Sequence, residues 1–81
     1  MQKNTQLHLV VAHNIRQRRQ LLGISQEALA EKCGLHRTYI GAIERGERNI
    51  TVNTLYCVAL SLNCTVIDLL VNIDEKKDST S

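Results

Sequence analysis

QEALAEKCGLHRTYIGAI, residues 26–43, consists of two short runs of helix-forming residues parted by a glycine. Counting from Gln26, the fifth residue is Ala30, the ninth Gly34, the fifteenth Ile40 and the eighteenth Ile43. Each suits one job where two helices meet at a sharp turn. A small Ala30 allows close helix approach, Gly34 turns the chain without a Cβ penalty, and the two isoleucines anchor the second helix inward. Only Gly34, Leu35 and His36 separate the two runs, as befits a helix-turn-helix.

Outward from this stretch, start and stop signals divide the chain into five helices. Leu7, Val11, Ile15 and Leu22 recur at helical spacing over residues 6–22, and Gly23 supplies a left-handed stop. Ser25 caps the second helix and Gly34 ends it. His36 stands at the third start, where it is a poor cap and reads as a turn residue. Thr51 opens a fourth helix, with Leu55, Val58, Ala59 and Leu62 on one face and Asn63 as its stop. Thr65 opens a short fifth, with Asp68 placed to complete a capping box. Ile24 with Leu29, Leu35 with Ile40, Ile50 with Leu55 and Cys64 with Leu69 bracket four of these starts as hydrophobic staples. No strand pattern, repeat or interdomain linker interrupts the series.

At 81 residues the chain has room for one small domain. An isolated core of that size buries only about 60% of the unfolded surface, so a partner can matter. Phe, Trp and Pro are absent, and Leu, Ile, Val and Ala supply the core, which favours helices over a sandwich of sheets. No apolar run approaches the ~20 residues of a membrane span and no signal segment opens the chain, so a cytoplasmic location is expected. Cys33, Cys57 and Cys64 match neither a disulfide framework nor a zinc site, and each falls at an apolar position, where a buried reduced thiol is expected. His8 and His13 lack acidic or cysteine partners at useful spacing, and no metal is expected.

The net charge is +2, but residues 74–81, DEKKDSTS, hold three acids and two bases, leaving +3 on the rest. That is a weak nucleic-acid signal until the charges are placed. With Ile40 and Ile43 inward, Arg37, Thr38, Gly41 and Arg45 project elsewhere, and Arg37 and Thr38 occupy the turn that would lead into a DNA major groove. Arg37 can pair with guanine O6 and N7, Thr38 can touch a base edge or a thymine methyl, and Gly41 would keep the helix surface low. Gln26, opening the second helix, can present its amide and the helix's free N–H groups to a phosphate. Arg48 and Asn49 suit phosphates or a groove edge, with plain solvation the alternative. Tyr39 suits either the core edge or a phosphate. Arg19 and Glu44 fit an ion pair between the first and third helices. A glycine-rich phosphate loop, a carboxylate pair and an activated nucleophile are all missing, so the chain does not read as an enzyme.

NIRQRRQLLGISQEALAEKCGLHRTYIGAIERGERNITVNTLYCVALSLNCTVIDLL, residues 14–70, resembles the Cro/cI-like (XRE) helix-turn-helix domain. GISQEALA, CGL, IERGERN and TVIDLL stand in that family's order and spacing. The stretch LHRTYIGAIERGERNIT is similar to controller proteins of restriction-modification systems. Those are small homodimeric regulators of their own gene and the endonuclease gene, activating at low occupancy and repressing at high occupancy. The resemblance implies a compact, all-α, five-helix lambda-repressor-like domain. It implies that Arg37 and Thr38 read bases and that Arg48 reaches a groove edge. It further implies that Gln26, Tyr39 and Asn49, with Arg45 beside them, hold the DNA backbone, and it supports Arg19–Glu44 as structural. His36 departs from the family's usual Ser or Thr cap and agrees with the controller-like subgroup.

A single recognition helix covers half a site, and specific operators generally take two, spaced by roughly one DNA turn, ~34 Å. A homodimer on a palindromic double-stranded operator is therefore expected. Val66 and Leu69 can cover the core, leaving Ile67, Leu70, Val71 and Ile73 for the subunit interface; the alternative for Leu70 is the core itself. Residues 1–73 thus read as the DNA-binding and dimerisation domain and residues 74–81 as a disordered polar tail. RNA polymerase is a further partner if the protein activates, with Glu27, Glu31 or Glu47 as exposed acids. No cofactor, small-molecule ligand or membrane is expected. Alternatives are a phage-type repressor, an antitoxin regulator, or a protein-interaction module that keeps the fold.

Overall fold

In the computed structural model, described over residues 6–71, five α-helices run α1 Leu7–Leu22, α2 Gln26–Cys33, α3 Arg37–Glu44, α4 Val52–Ser61 and α5 Val66–Leu70. Their starts follow the capping chemistry. Ser25 Oγ accepts from the Ala28 N–H at 3.0 Å, and Thr51 Oγ1 accepts from Thr54 at 3.2 Å. Thr65 and Asp68 form the reciprocal box, at 3.1 and 3.0 Å. His36 proves a working cap: its ring Nδ1 accepts the Thr38 N–H at 3.1 Å, which requires a ring unprotonated at that nitrogen.

The turn between α2 and α3 is built on Gly34. Its φ of +69° lies in the left-handed region, where a Cβ is strained. That conformation lets the Leu35 N–H reach the Ala30 carbonyl at 2.8 Å and the Gly34 N–H reach Glu31 at 3.2 Å, closing the end of α2. Leu35 then packs against the core, and α3 leaves in a new direction.

One large side chain from each helix meets in the centre. Ile15, Leu29, Ile40, Val58 and Leu69 are each less than 2% exposed, and Ala30, Ile43, Leu55, Ala59 and Leu62 pack around them. The staple residues Ile24, Leu35, Ile50 and Cys64 lie half-buried against this cluster, as does Val66. α2 packs on α3 and α4, while α1 bridges α3 and α5.

Three expectations are corrected. Leu7 and Leu22, on the expected inner face of α1, are 50% and 43% exposed. The 16-residue α1 is twice the length of α2 and α3, so its ends overrun the body it packs on. Cys57 is exposed, on the side of α4 away from Leu55 and Val58, and only Cys33 and Cys64 are half-buried; all three are free thiols. Gly41 is buried: a Cβ there would lie 3.1 Å from Arg45 Nη1 and 3.5 Å from Gln26 Oε1. The space it leaves is taken by the protein's own side chains.

Candidate nucleic-acid interface

At about 100° per residue, Thr38, Ala42 and Arg45 fall opposite Ile40 and Ile43, which are buried. Arg37 and Thr38 are both exposed on the first turn of α3, and Arg37 makes no ion pair among the described residues. An exposed, unpaired guanidinium on the leading turn retains all its donors for a planar acceptor.

Beneath this turn lies a buried polar network. Glu44, on the inner side of α3, is 8% exposed. Arg19 of α1 approaches it as a fork, with Nε at 2.7 Å from Oε2 and Nη2 at 3.0 Å from Oε1. The third donor is Gln26 Nε2, 3.0 Å from Oε1. Arg19 also donates through Nη1 to the Ile24 carbonyl at 2.9 Å, so one side chain ties α1, the α1–α2 link and α3. Hydrogen bonding to Glu44 raises the Arg19 pKa above its usual value despite partial desolvation. The expected ion pair is present. Gln26 is half-buried and its amide donates inward to Glu44, rather than standing free at the helix start.

The other cations differ in their freedom. Arg45 is exposed and forked onto Glu47, Nε to Oε2 at 3.0 Å and Nη2 to Oε1 at 3.2 Å. This bond raises the arginine's pKa and lowers the glutamate's, so Glu47 offsets Arg45 on this face. Arg48 instead sits over the Tyr39 ring, its Cζ 5.5 Å from the centroid, within cation–π range. Tyr39 is half-buried and packs its ring on the core edge, while Asn49 is exposed beside Arg48. The loop bearing these residues turns at Gly46, φ +74°, with Leu9 of α1 pressed into the space a Cβ would need. Among the described residues, Arg37 and Arg48 thus have no carboxylate partner, one on the leading turn of α3 and the other in the loop after it.

The second expected surface lies on α5. Ile67 is 70% exposed and Leu70 37%, so Leu70 does not complete the core. Val71 is half-buried, and Ile73 lies outside the described residues. Tyr56 and Leu60 of α4 are also exposed, and with Cys64, Val66 and Ile67 they line an apolar cleft of about 330 Å³. Sequence reading missed this α4 contribution, whose signal was Tyr56 and Leu60 at i, i+4, off the Leu55–Val58 face. It also missed Asn14, whose signal was a weak helix former amid the apolar positions of α1. Asn14 is 4% exposed and donates to the carbonyls of Leu69 and Val71 at 2.9 and 2.8 Å.

Among the described residues no helix is long and apolar enough to cross a membrane, and no cluster of His, Cys, Asp and Glu could hold a metal.

Comparison with known proteins follows the same lines. Residues 15–69 match the helix-turn-helix family HTH_3. The chain is 52% identical over 61 residues to the control protein C.SmaI of Serratia marcescens, covering 75% of this chain and 73% of that protein. The crystal structure of the hypothetical transcription factor NHTF from Neisseria superposes with a TM-score of 0.84 at 39% identity, covering 89% of this chain and 83% of that one. The restriction-modification controller protein C.Esp1396I, crystallised as a tetramer in complex with its natural 35 base-pair operator, gives a TM-score of 0.75 at 37% identity over 85% of this chain and 92% of that one. With its α2–turn–α3 unit, its exposed leading turn and these similarities, the chain belongs to the HTH_3 helix-turn-helix family of DNA-binding transcriptional regulators, which are not enzymes.

Proposed function

We propose that this protein is the controller of a restriction-modification system. It binds a palindromic operator as a cytoplasmic homodimer and activates or represses its own gene and the endonuclease gene. The observation that carries the reading is the pairing of two surfaces on one domain: an unpaired Arg37 with Thr38 on the leading turn of α3, and an apolar patch of Ile67 and Leu70 on α5. Similarity to C.SmaI and to C.Esp1396I on its operator supports it.

In this reading Arg37 forks onto guanine O6 and N7, Thr38 contacts the neighbouring base, and Arg48, held over the Tyr39 ring, reaches a groove edge. Tyr39, Asn49, Arg45 and Gln26 hold phosphates and fix the register of α3. Gln26 does so while anchored to Glu44, and Arg45 does so with Glu47 bound to its other side. Ile67, Leu70, Val71 and Ile73 join the two subunits, setting the recognition helices about one turn of DNA, ~34 Å, apart. Activation requires contact with RNA polymerase. Glu27 and Glu31 are the exposed acids suited to it, beside a shallow cleft floored by Ala30 and Leu35, whereas Glu47 is held by Arg45.

Selection of bound duplexes from a random pool at near-physiological salt tests the reading. A palindromic motif with half-site centres one turn apart, recurring upstream of the chain's own gene and an endonuclease gene, is the expected outcome. Recovery of unselected, salt-labile sequences alone would overturn it.

A further inference from the structure

α1 and α2 run directly into left-handed Gly23 (φ +71°) and Gly34 (+69°), while α3 and α4 close on Arg45 and Leu62 with left-handed Gly46 (+74°) and Asn63 (+59°) one residue later. α5 is followed by Val71 in extended conformation, φ −85° and ψ 129°. A helix leaves its last carbonyls without partners inside the helix, and a five-residue helix has little else to hold it. Here one of them, and the carbonyl just beyond the helix, are satisfied from across the domain. Asn14 Nδ2 donates one hydrogen to the Leu69 carbonyl at 2.9 Å and the other to the Val71 carbonyl at 2.8 Å.

Both N–H groups of one amide are therefore spent on two carbonyls flanking a single residue, Leu70. That pins the carbonyl just before Leu70 and the one a residue beyond it. Leu69 is driven fully into the core while Leu70 is left 37% exposed, one helical turn from the 70% exposed Ile67. α1 carries the clamp, and its own packing on α3 and α5 makes it a rigid base.

We infer that Asn14 is a positioning residue for the subunit interface: from inside each monomer it fixes the end of α5, so that Ile67, Leu70 and Val71 meet a second copy of the chain already ordered. This rests on the homodimer reading above. An interface ordered before docking avoids the entropy that mobile side chains and a frayed helix end would lose on association. Loss of the amide donors leaves the fold's centre intact, because Asn14 contributes no side chain to the apolar cluster. Its effect falls instead on the arrangement of α5.

The test uses the full chain and two variants, Asn14→Ala and Ile67→Arg, with dimer dissociation constants from sedimentation equilibrium and folding followed by circular dichroism. Asn14→Ala is expected to stay helical and to dimerise at least about tenfold more weakly than wild type. Ile67→Arg, which leaves the Asn14 bonds untouched, is expected to be monomeric. If Ile67→Arg dimerises like wild type, or wild type is a monomer, the homodimer reading at α5 fails and the inference with it. If Ile67→Arg is monomeric while Asn14→Ala dimerises like wild type, the inference alone is overturned. Amide hydrogen exchange on the Ile67→Arg monomer decides the matter without need of a folded Asn14 variant. A clamp within the monomer keeps the α5 amides protected there as in the dimer, and α5 amides protected only in the dimer would show that the partner orders the helix.

Discussion

Glu44→Ala isolates the polar network under the recognition helix. The carboxylate side chain is 2% exposed and its arginine partner 12%, so removal of Glu44 strands a nearly buried guanidinium. It also takes the acceptor from Gln26 Nε2. Breaking a buried ion pair from one side costs about 3–5 kcal/mol, chiefly through the uncompensated charge. A domain of 81 residues holds about 4–12 kcal/mol in total at roughly 0.05–0.15 kcal/mol per residue, so much of it would be lost. With a urea slope near 1 kcal/mol/M for so small a chain, the midpoint should fall by roughly 3–5 M. Arg19→Met with Glu44→Leu should recover most of the loss, because two apolar groups of similar shape need no partner. Urea unfolding followed by circular dichroism, at one protein concentration because dimerisation adds to apparent stability, measures all three proteins. A loss under about 1 kcal/mol for Glu44→Ala, or a double variant as unstable as the single, would refute the view that this pair is buried and mutually dependent.

Three further outcomes follow from what is exposed and what is buried. Tyr39→Phe keeps the ring under Arg48 and Tyr39→Leu removes it; with an exposed cation–π contact worth about 0.5–1 kcal/mol, the leucine variant should bind a selected duplex ~2–5-fold more weakly than the phenylalanine variant. Equal affinities in fluorescence anisotropy would show that the ring does not position Arg48. Ellman's reagent should modify exposed Cys57 before Cys33 and Cys64, whose half-burial limits access and whose desolvation raises their pKa and thins the thiolate. Since those two thiols hold their protons more tightly when folded, their contribution to stability is complete below their ordinary value of 9.0 and declines as pH rises beyond it. Three thiols reacting at one rate, or thermal stability that rises above pH 9, would contradict this.

What the chain's residues disclosed depended on how local the physics was. Ser25, Thr51 and Thr65 act on N–H groups three residues away, and the staples span five residues, so the starts of α2, α4 and α5 were readable from short windows. His36 was underrated because an imidazole cap depends on which ring nitrogen is free, a property that residue type does not display. What Gln26, Gly41 and Asn14 touch inside the fold was not readable, for a different reason. Their partners, Glu44, Arg45 and the carbonyls of Leu69 and Val71, are fixed only when α1, α2, α3 and α5 have packed. Helical period likewise placed Leu7 and Leu22 inward without knowing that α1 outruns its neighbours.

The exposed face of α3 was legible in part. Arg37 and Thr38 were placed by subtraction, because Ile40 and Ile43 had to point inward. Which arginines remain free was not, since Arg45 and Arg48 are engaged by Glu47 and Tyr39 respectively through the local shape of the Gly46 turn. Residue spacing can count charges near a helix, but only the folded loop decides which of them is offered to a partner.

The central claim is that Arg37 reads sequence, and the specificity ratio of Arg37→Ala tests it most directly. Affinity is measured for the selected operator and for a scrambled duplex of equal length at one salt concentration, with wild type alongside. A bidentate arginine–guanine contact discriminates by about 1–3 kcal/mol, and a symmetric dimer uses it twice, so the ratio should fall by roughly 30-fold or more while binding to the scrambled duplex changes far less. A folded Arg37→Ala protein that loses affinity equally for both duplexes would make Arg37 a phosphate contact and contradict the account.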